Sequence, residues 1–330
     1  MKRPILVLPI AFAASLVVAL IGCGPSSGGL PRGSTPPSAE PSVVPGSPDV
    51  PPNPSPSTPG STTTPTEPPS SPGGGGEPTP APSGSTVIRS YFYLAARDDT
   101  AGLVAVLRVL PKTQAVATAA AEALLAGPLA SERGASPAIS TAVPDGTRLL
   151  GLSISDSVAT VDLSREFATG GGSLSIRLRV AQVVYTLTQF PSVKSVIFEI
   201  DGRPVTVFGG EGLVLDEPVG RAAFEDLLPP IWVDRPAWGA SIGNPARVTG
   251  SANVFEAAFL ISLFDESGRT LFEGPVMATC GTGCRGTFDV TFDYDVDHAQ
   301  WGTLRAWNRS AADGSPEDIR DYPVWLTPAR

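Results

Sequence analysis

The run from Val158 to Val193, VATVDLSREFATGGGSLSIRLRVAQVVYTLTQFPSV, constrains this chain more than any other stretch. It spells a strand, a polar corner, a glycine hinge and one long amphipathic helix. Ile176, Val180, Val184 and Leu187 recur at helical steps and share a face, which Val183 and Phe190 widen to the breadth of a core-facing surface. Arg177, Arg179, Gln182 and Gln189 fall mostly off that stripe. Such a helix needs a core to face, and the residues from Val87 to about Val207 can pack around it.

The neighbouring segments supply the strands. VIRSYFYLAA and LVAVLRVLP come first, with the turn-like Arg97-Asp98-Asp99-Thr100 beside them, and Pro111 ends the second. Thr113 is placed to cap an alanine-rich helix from Gln114 to Ala126, which Gly127-Pro128 stops. LLGLSIS and VATVDLS then form a hairpin over Asp156-Ser157. After the long helix, Pro191 breaks the chain, VKSVIFEI returns as a strand, and the Asp201-Gly202 turn leads to Val207. The order β-β-α-β-β-α-β predicts an α+β domain with two helices on one face of a mixed sheet. Residues 208–229 lose the pattern and read as a linker, with a short helical turn at Arg221 to Leu228.

From residue 230 to 330 six strand-like runs recur at the spacing of an all-β sandwich: PARVTGSANV, EAAFLISLFD, RTLFEGPVMA, GTFDVTFDYDVD, WGTLRAWN and IRDYPVWLT. Alternation is clearest where Phe288, Val290, Phe292, Tyr294 and Val296 oppose Asp289, Thr291, Asp293, Asp295 and Asp297.

The N-terminus gives an address. Lys2 and Arg3 precede an apolar run from Ile5 to Ile21, slightly short for a membrane span and patterned as a secretory signal. Leu20-Ile21-Gly22-Cys23 resembles the lipobox of bacterial lipoproteins, which implies cleavage after residue 22 and a lipid on Cys23. The expected location is extracytoplasmic, lipid-anchored to the cell membrane. Residues 23–86 then carry little but Pro, Ser, Thr and Gly. They cannot bury enough apolar surface to offset ordering entropy, so they read as a disordered linker. Extended as polyproline II this tether would reach on the order of 200 Å, against roughly 45 Å as a flexible coil.

Charge narrows the partners. A net charge of −9 excludes the counterion-releasing grip that nucleic acid requires, and equally a polybasic hold on anionic lipid. The chain has three cysteines. With Cys23 lipidated, Cys280 and Cys284 remain as a pair in CGTGC, and an oxidising compartment favours their disulfide. A zinc half-site there lacks further ligands, since the chain holds one histidine.

Gly170-Gly171-Gly172-Ser173 before a helix could cradle an anion with help from Arg177, yet no Lys-Ser/Thr pair follows, so a capped corner is the simpler reading. Asp162 and Glu166 could act as a carboxylate pair, but a DLS after a strand more often caps the next element. Asp293, Asp295 and Asp297 lack the glycine and glutamate of a calcium loop. Gly239-Ala240-Ser241-Ile242-Gly243 spells a nucleophile elbow inside an all-β region, with no tie to His298. We expect no catalytic residues, no metal and no cofactor.

Several blocks carry a family resemblance. ALLAGPLASERG, STAVPDGTRLL, VATVDLSREFATGGGS and RVAQVVYTLTQFPSVKSV resemble, in order, the GerMN domain of sporulation and spore germination, over residues 87–207. ARVTGSANVFEA, the Asp-Glu-Ser-Gly turn and the final Pro-Val-Trp-Leu resemble the immunoglobulin-like domain of bacterial spore germination proteins. Trp307-Asn308 departs from the phenylalanine-glutamate pair expected at that point. The resemblance implies a non-catalytic envelope protein that assembles or adapts other proteins, and by analogy with ring-building domains, self-association. A binder of wall glycan or a small ligand is the alternative, with Trp232, Trp238, Trp301, Trp307 and Trp325 as material for an aromatic pocket. Strand alternation places Arg89, Tyr91 and Tyr93 on the face away from the helices, and with Arg108 they form the candidate partner face, for a protein partner, a second copy or the immunoglobulin-like domain.

Overall fold

The computed structural model describes residues 83–94, 102–208, 213–215 and 217–329. The signal-like run, Cys23, the Pro-rich segment and the Arg97–Thr100 turn lie outside the described residues.

The first module begins with a hairpin pair, β1 (Ser85–Leu94) and β2 (Gly102–Pro111), which run antiparallel with Tyr91 opposite Ala105. Helix α1 (Val116–Leu125) follows. It starts later than the sequence suggests, and Thr113 stands before it, accepting a hydrogen bond from the Ala115 N–H. A single turn α2 (Ala130–Arg133) and a two-residue β3 (Ile139–Ser140) come next, neither of which has a periodic signature in the sequence. β4 (Leu149–Ser155) and β5 (Val158–Leu163) form the expected hairpin. Asp156 and Ser157 at its tip take φ of 50° and 65°, the left-handed values that a tight two-residue turn needs to match strand twist. A 3₁₀ turn at Arg165–Ala168 leads to α3 (Ser173–Leu187), which returns the chain to β6 (Ser195–Ile200), parallel to β5. β7 (Arg203–Pro204) folds back over Asp201-Gly202, and β8 (Val207–Phe208) pairs with β9 (Leu213–Val214).

The α+β class holds, but the strands are divided between sheets rather than gathered in one. β2-β1-β3 form the first, β4-β5-β6-β7 the second, and β8-β9 a small third. The division follows from α3. Among the described residues, β1 has no strand on the side away from β2 except at Tyr93 and Leu94. Buried backbone polar groups at such an edge must still be paired. Side chains of α3 and of the residues just after it pair them: Gln189 Nε2 donates to the Arg89 carbonyl and its Oε1 accepts from the Arg89 N–H, at 2.7 and 2.9 Å. The Thr186 hydroxyl accepts from the Tyr91 N–H at 3.2 Å, and Gln182 Nε2 donates to the Tyr91 carbonyl at 3.0 Å. The residues that fall off the apolar stripe of the helix therefore make a polar seam against a strand edge. Gln182 and Thr186 are wholly buried, and so is most of the helix circumference.

The linker is packed. Arg221–Leu227 forms a 3₁₀ segment that buries Phe224 and Leu227, and Val219 exchanges two backbone hydrogen bonds with Val196 on β6.

The second module is a sandwich. A three-stranded sheet orders as β10 (Ile231–Arg235), β12 (Ala246–Ala252) and β15 (Gly286–Phe292), once β11 (Ser241–Ile242) is set aside as the edge of the other sheet. That other sheet runs β11-β17-β16-β13-β14, with β13 (Ala258–Phe264), β14 (Thr270–Met277), β16 (Gln300–Arg309) and β17 (Pro316–Leu326). All six runs singled out in the sequence are strands; β10 and β11 are additional. Phe288 and Phe292 of β15 meet Phe259 and Phe272 across the core at centroid distances of 4.9 and 3.8 Å. Trp307, where the family pattern leads one to expect phenylalanine, is buried and donates its indole N–H to the Ser262 hydroxyl at 2.9 Å.

Candidate interface

The predicted partner face is in contact with the second module of the same chain, and it is not clear of the helices as expected, since Tyr185 of α3 packs against the Tyr91 ring. β1 and β2 present Tyr91 toward β10, and Tyr91 is fully buried. Its hydroxyl donates to Asp234 Oδ1 at 2.8 Å, Arg89 Nε donates to the same hydroxyl at 3.0 Å, and the Arg221 guanidinium reaches it at 3.4 Å. Three rings form the apolar part. Tyr91 and Tyr185 lie 5.6 Å apart, and Trp232 stands 6.3 Å from Tyr91 and 5.6 Å, edge-on, from Tyr185. Arg221 lies over both tyrosine rings, at 5.3 and 4.7 Å from their centroids, and donates to the Thr188 hydroxyl and the Tyr185 carbonyl. A half-buried cation held over two ring faces adds attraction beyond area burial.

Asp234 reaches this cluster because β10 is irregular there. Its register against β12 shifts between Val233 and Arg235, which leaves Asp234 as the unpaired extra residue. Such a bulge re-aims side chains out of strict alternation. Burial, and after it the Asp234 carboxylate, pushes the Tyr91 phenol up from 10.0 to about 12. Burial likewise raises Tyr185. Both phenols therefore remain protonated donors at neutral pH.

A second seam closes the modules along the outer edge of β2. The Trp238 N–H donates to the Ala105 carbonyl at 2.8 Å, and the Leu107 N–H donates to the Trp238 carbonyl at 3.4 Å. The Trp238 ring is buried. Gly102 sits under Pro229, where a Cβ would come within 3.1 Å of the proline ring. Arg285 completes the contact by donating to the Pro229 carbonyl at 2.9 Å.

The four residues of the predicted face do not stay together. Arg89, Tyr91 and Tyr93 share one side of β1, with Tyr93 half-buried. Arg108 does not join them. It pairs with Ile88, so it lies on the opposite face beside Phe92, over whose ring its guanidinium sits at 5.1 Å. There it makes a two-pronged ion pair with Glu132 at 2.6 and 2.7 Å, and Glu132 also accepts from the Leu129 N–H to cap α2. An arginine in an apolar strand reads as an outward residue only if nothing buried can answer its charge; Glu132 answers it.

The other patterns resolve into structural roles. Cys280 and Cys284 are joined as a disulfide. Their loop is seated on the turn before β13 by Asn253, whose side chain accepts from the Gly283 N–H, and by Thr282, whose hydroxyl accepts from the Glu256 N–H. Arg177, the cation that an anion cradle would have needed, is held by Asp226 in a bidentate pair at 2.7 Å for both bonds. The glycine corner is instead gathered from inside by Arg179, which donates to the carbonyls of Phe167, Thr169 and Gly170. Asp162 accepts from the Gly202 N–H and so fastens the β6–β7 turn, while Ser164 holds the Glu166 carboxyl below its usual range by hydrogen bonding. His298 pairs with Asp297 and Glu266. The tryptophans are spread over the second module: Trp301 and Trp325 contact one another edge-on at 5.3 Å, apart from Trp232 and Trp238 in the two seams. Arg221 and Asp234, central to the interface, carry no sequence motif, while Tyr185 lies within the RVAQVVYTLTQFPSVKSV block without a role assigned to it there. Among the described residues no helix is long and apolar enough to cross a membrane.

Residues 90–206 match the family model described as sporulation and spore germination, and residues 230–315 match that of the immunoglobulin-like domain of bacterial spore germination. Among solved structures, the tandem GerMN domains of the sporulation protein GerM from Bacillus subtilis are 16% identical, over 63% of this chain and 61% of that one, with a TM-score of 0.34. The first GerMN domain of the same protein is 23% identical over 41% of this chain and 98% of its own, also with a TM-score of 0.34. A candidate lipoprotein of Clostridium perfringens is 19% identical over 44% of this chain and 94% of its own, with a TM-score of 0.30. No curated protein matches the sequence.

Proposed function

Since its first folded module belongs to the sporulation and spore germination family and its second to the immunoglobulin-like domain of bacterial spore germination, we propose that this chain is a non-catalytic, lipid-anchored adaptor of the cell envelope that holds partner proteins in a germination-type assembly. The observation that carries this reading is the joint between the modules. Tyr91, Tyr185, Trp232 and Arg221 fasten them through a buried cluster, and Trp238 adds its backbone to the free edge of β2. A head joined in this way presents a fixed composite surface to a partner, as a scaffold requires. The Gly22-Cys23 sequence and the Pro-rich tether would attach that head to the membrane and carry it away from the bilayer.

The test is crosslinking in intact cells followed by affinity capture of the wild-type chain and of Cys23→Ala. The wild type should be recovered in the detergent phase with a discrete crosslinked partner, and Cys23→Ala should be unprocessed or released and lose that partner. A processed wild-type chain that needs no detergent, together with a monomeric solution mass and no crosslink, would overturn the reading.

A further inference from the structure

Beside the joint the two modules leave an open cleft of about 590 Å³. That volume lies within the range of roughly 300–1,000 Å³ typical of ligand sites, and junctions between modules are a common place for them. One wall is the start of β1 with the C-terminal end of α3; the other is the stretch that runs from Arg235 through β11. Three arginines line it, Arg89, Arg235 and Arg247, and no carboxylate does. In a chain of net charge −9 this is a local reversal of sign. The acids that pair with two of the arginines, Asp234 and Asp289, line the separate groove on the Tyr185 side. Arg89 stands 3.9 Å from Asp234, and Arg247 is held bidentately by Asp289. Arg235 is exposed, and its guanidinium has no partner among the described residues.

The rest of the lining suits an extended chain. Val87 is 50% exposed at the rim, and Phe190 and Ile242 continue the apolar wall. β11 is the last strand of its sheet, so the cleft is bounded by a sheet edge. An extended segment alternates its side chains, which allows acids to meet the guanidinium groups while apolar residues meet the wall.

We propose that this cleft takes a short acidic peptide segment of a partner protein, anchored by Arg235. The choice of a protein as the source of the acid rests on the adaptor reading above; the cationic cleft itself does not. Arg235 supplies the uncommitted fork of donors that a carboxylate accepts in two parallel bonds. Arg89 and Arg247, already half-neutralised, contribute field and orientation.

The experiment uses the full-length protein in detergent and two labelled peptides, acetyl-Glu-Val-Glu-Val-Glu and its Gln-for-Glu counterpart, read by fluorescence anisotropy. The acidic peptide should bind at least about tenfold more tightly than the amide peptide, and weaken with salt. Arg235→Gln should lose about five- to tenfold, Arg235→Lys less, and Arg235→Glu essentially all binding, with the circular dichroism and melting curve of each unchanged because the residue is exposed. Equal binding of the two peptides, undiminished binding by Arg235→Glu, or displacement by inorganic phosphate at the concentration of free peptide would each overturn the proposal, the last by reducing the cleft to a generic anion site. In cells, a partner crosslink that persists in Arg235→Glu would discard this cleft and leave the adaptor reading standing.

Discussion

The Tyr91 phenol of the first module donates to the Asp234 carboxylate of the second at 2.8 Å, with Arg89 and Arg221 both within hydrogen-bonding distance of the same oxygen. One buried hydroxyl is thus the meeting point of two strands, a linker helix and two cations. It couples the modules by direction as well as by burial, because a hydrogen bond from a phenol to a carboxylate weakens steeply as its angle departs from linear.

Tyr91→Phe removes that donor while keeping the ring. The expected loss of stability is about 1–2 kcal/mol near neutral pH, read from denaturant unfolding. The same substitution should alter the alkaline limb. The folded phenol is raised from 10.0 to about 12, so its contribution is fully present below pH 10 and is lost as pH climbs through about 12. Integrated over that window the linkage amounts to about 2–3 kcal/mol. Tyr185 and Tyr322 are raised in the same direction by burial, so Tyr91→Phe should shallow the alkaline decline without abolishing it. An unchanged decline would show that Tyr91 does not ionise with unfolding.

Gln182 is the test of the seam between α3 and the edge of β1. Its amide, itself wholly buried, donates to the Tyr91 carbonyl and the Thr141 hydroxyl and accepts from the Ala142 N–H at 2.8 Å. Gln182→Leu keeps the volume and strands those groups. We expect a cost of about 2–4 kcal/mol, since each buried orphan costs on the order of 1–3 kcal/mol. Gln182→Glu should be nearly as damaging, because it abolishes the donor. If either variant unfolds at the wild-type denaturant midpoint, the seam adds nothing.

The glycine corner should fail at one glycine more than at its neighbours. Gly171 has φ of +82°, and a Cβ there would stand 2.6 Å from Arg179 Nη2 and 2.7 Å from the Ser175 hydroxyl. Gly172 has open space around it and an extended backbone. Gly171→Ala is expected to lower stability by about 1–3 kcal/mol and Gly172→Ala by less than about 1 kcal/mol, measured by thermal melting. Arg179→Met, which leaves three carbonyls without their donor, should exceed both. A Gly172→Ala variant worse than Gly171→Ala would show that the corner is not organised by Arg179.

Losing the Cys280–Cys284 bond should be mild. The closed loop is short, so the entropy model assigns it only about 2 kcal/mol. The loop also keeps its hydrogen bonds from Gly283 to Asn253 and from Glu256 to Thr282. The double serine variant is therefore expected to fold, melt a few degrees lower and retain the sandwich by circular dichroism. Thiol labelling of denatured, unreduced wild type should find neither cysteine free.

Much of the fold is legible because its signals are local. The Asp156-Ser157 hairpin, the Asp201-Gly202 turn, α3 and the six strand runs of the sandwich each depend on periodicity or turn chemistry that neighbouring residues carry among themselves. α2 and β3 are invisible by the same rule: four residues and two residues cannot display a period, and they exist because Glu132 and Tyr93 have partners elsewhere. The placement of Arg108 on the partner face fails for a related reason. Alternation along β2 puts it beside Val104 and Val106, but the burial of an arginine depends on Glu132, a residue outside the strand.

Spacing and composition within a few residues were enough to mark the segments that build a core, the α+β and sandwich classes, the pairing of Cys280 with Cys284 and the side of β1 to which Tyr91 belongs. What that side meets depended on packing. Asp234 reaches Tyr91 through a break in strand register, Gln182 and Gln189 turn from apparent surface residues into the partners of a strand edge, and Arg221 arrives from the short helical turn of the linker. The contacts of Gln182, Gln189 and Asp234 with β1 join residues 91, 100 and 143 positions apart. No local rule reaches across such distances; hydrogen bonds and charges are satisfied by whatever the packed chain brings within about 3 Å.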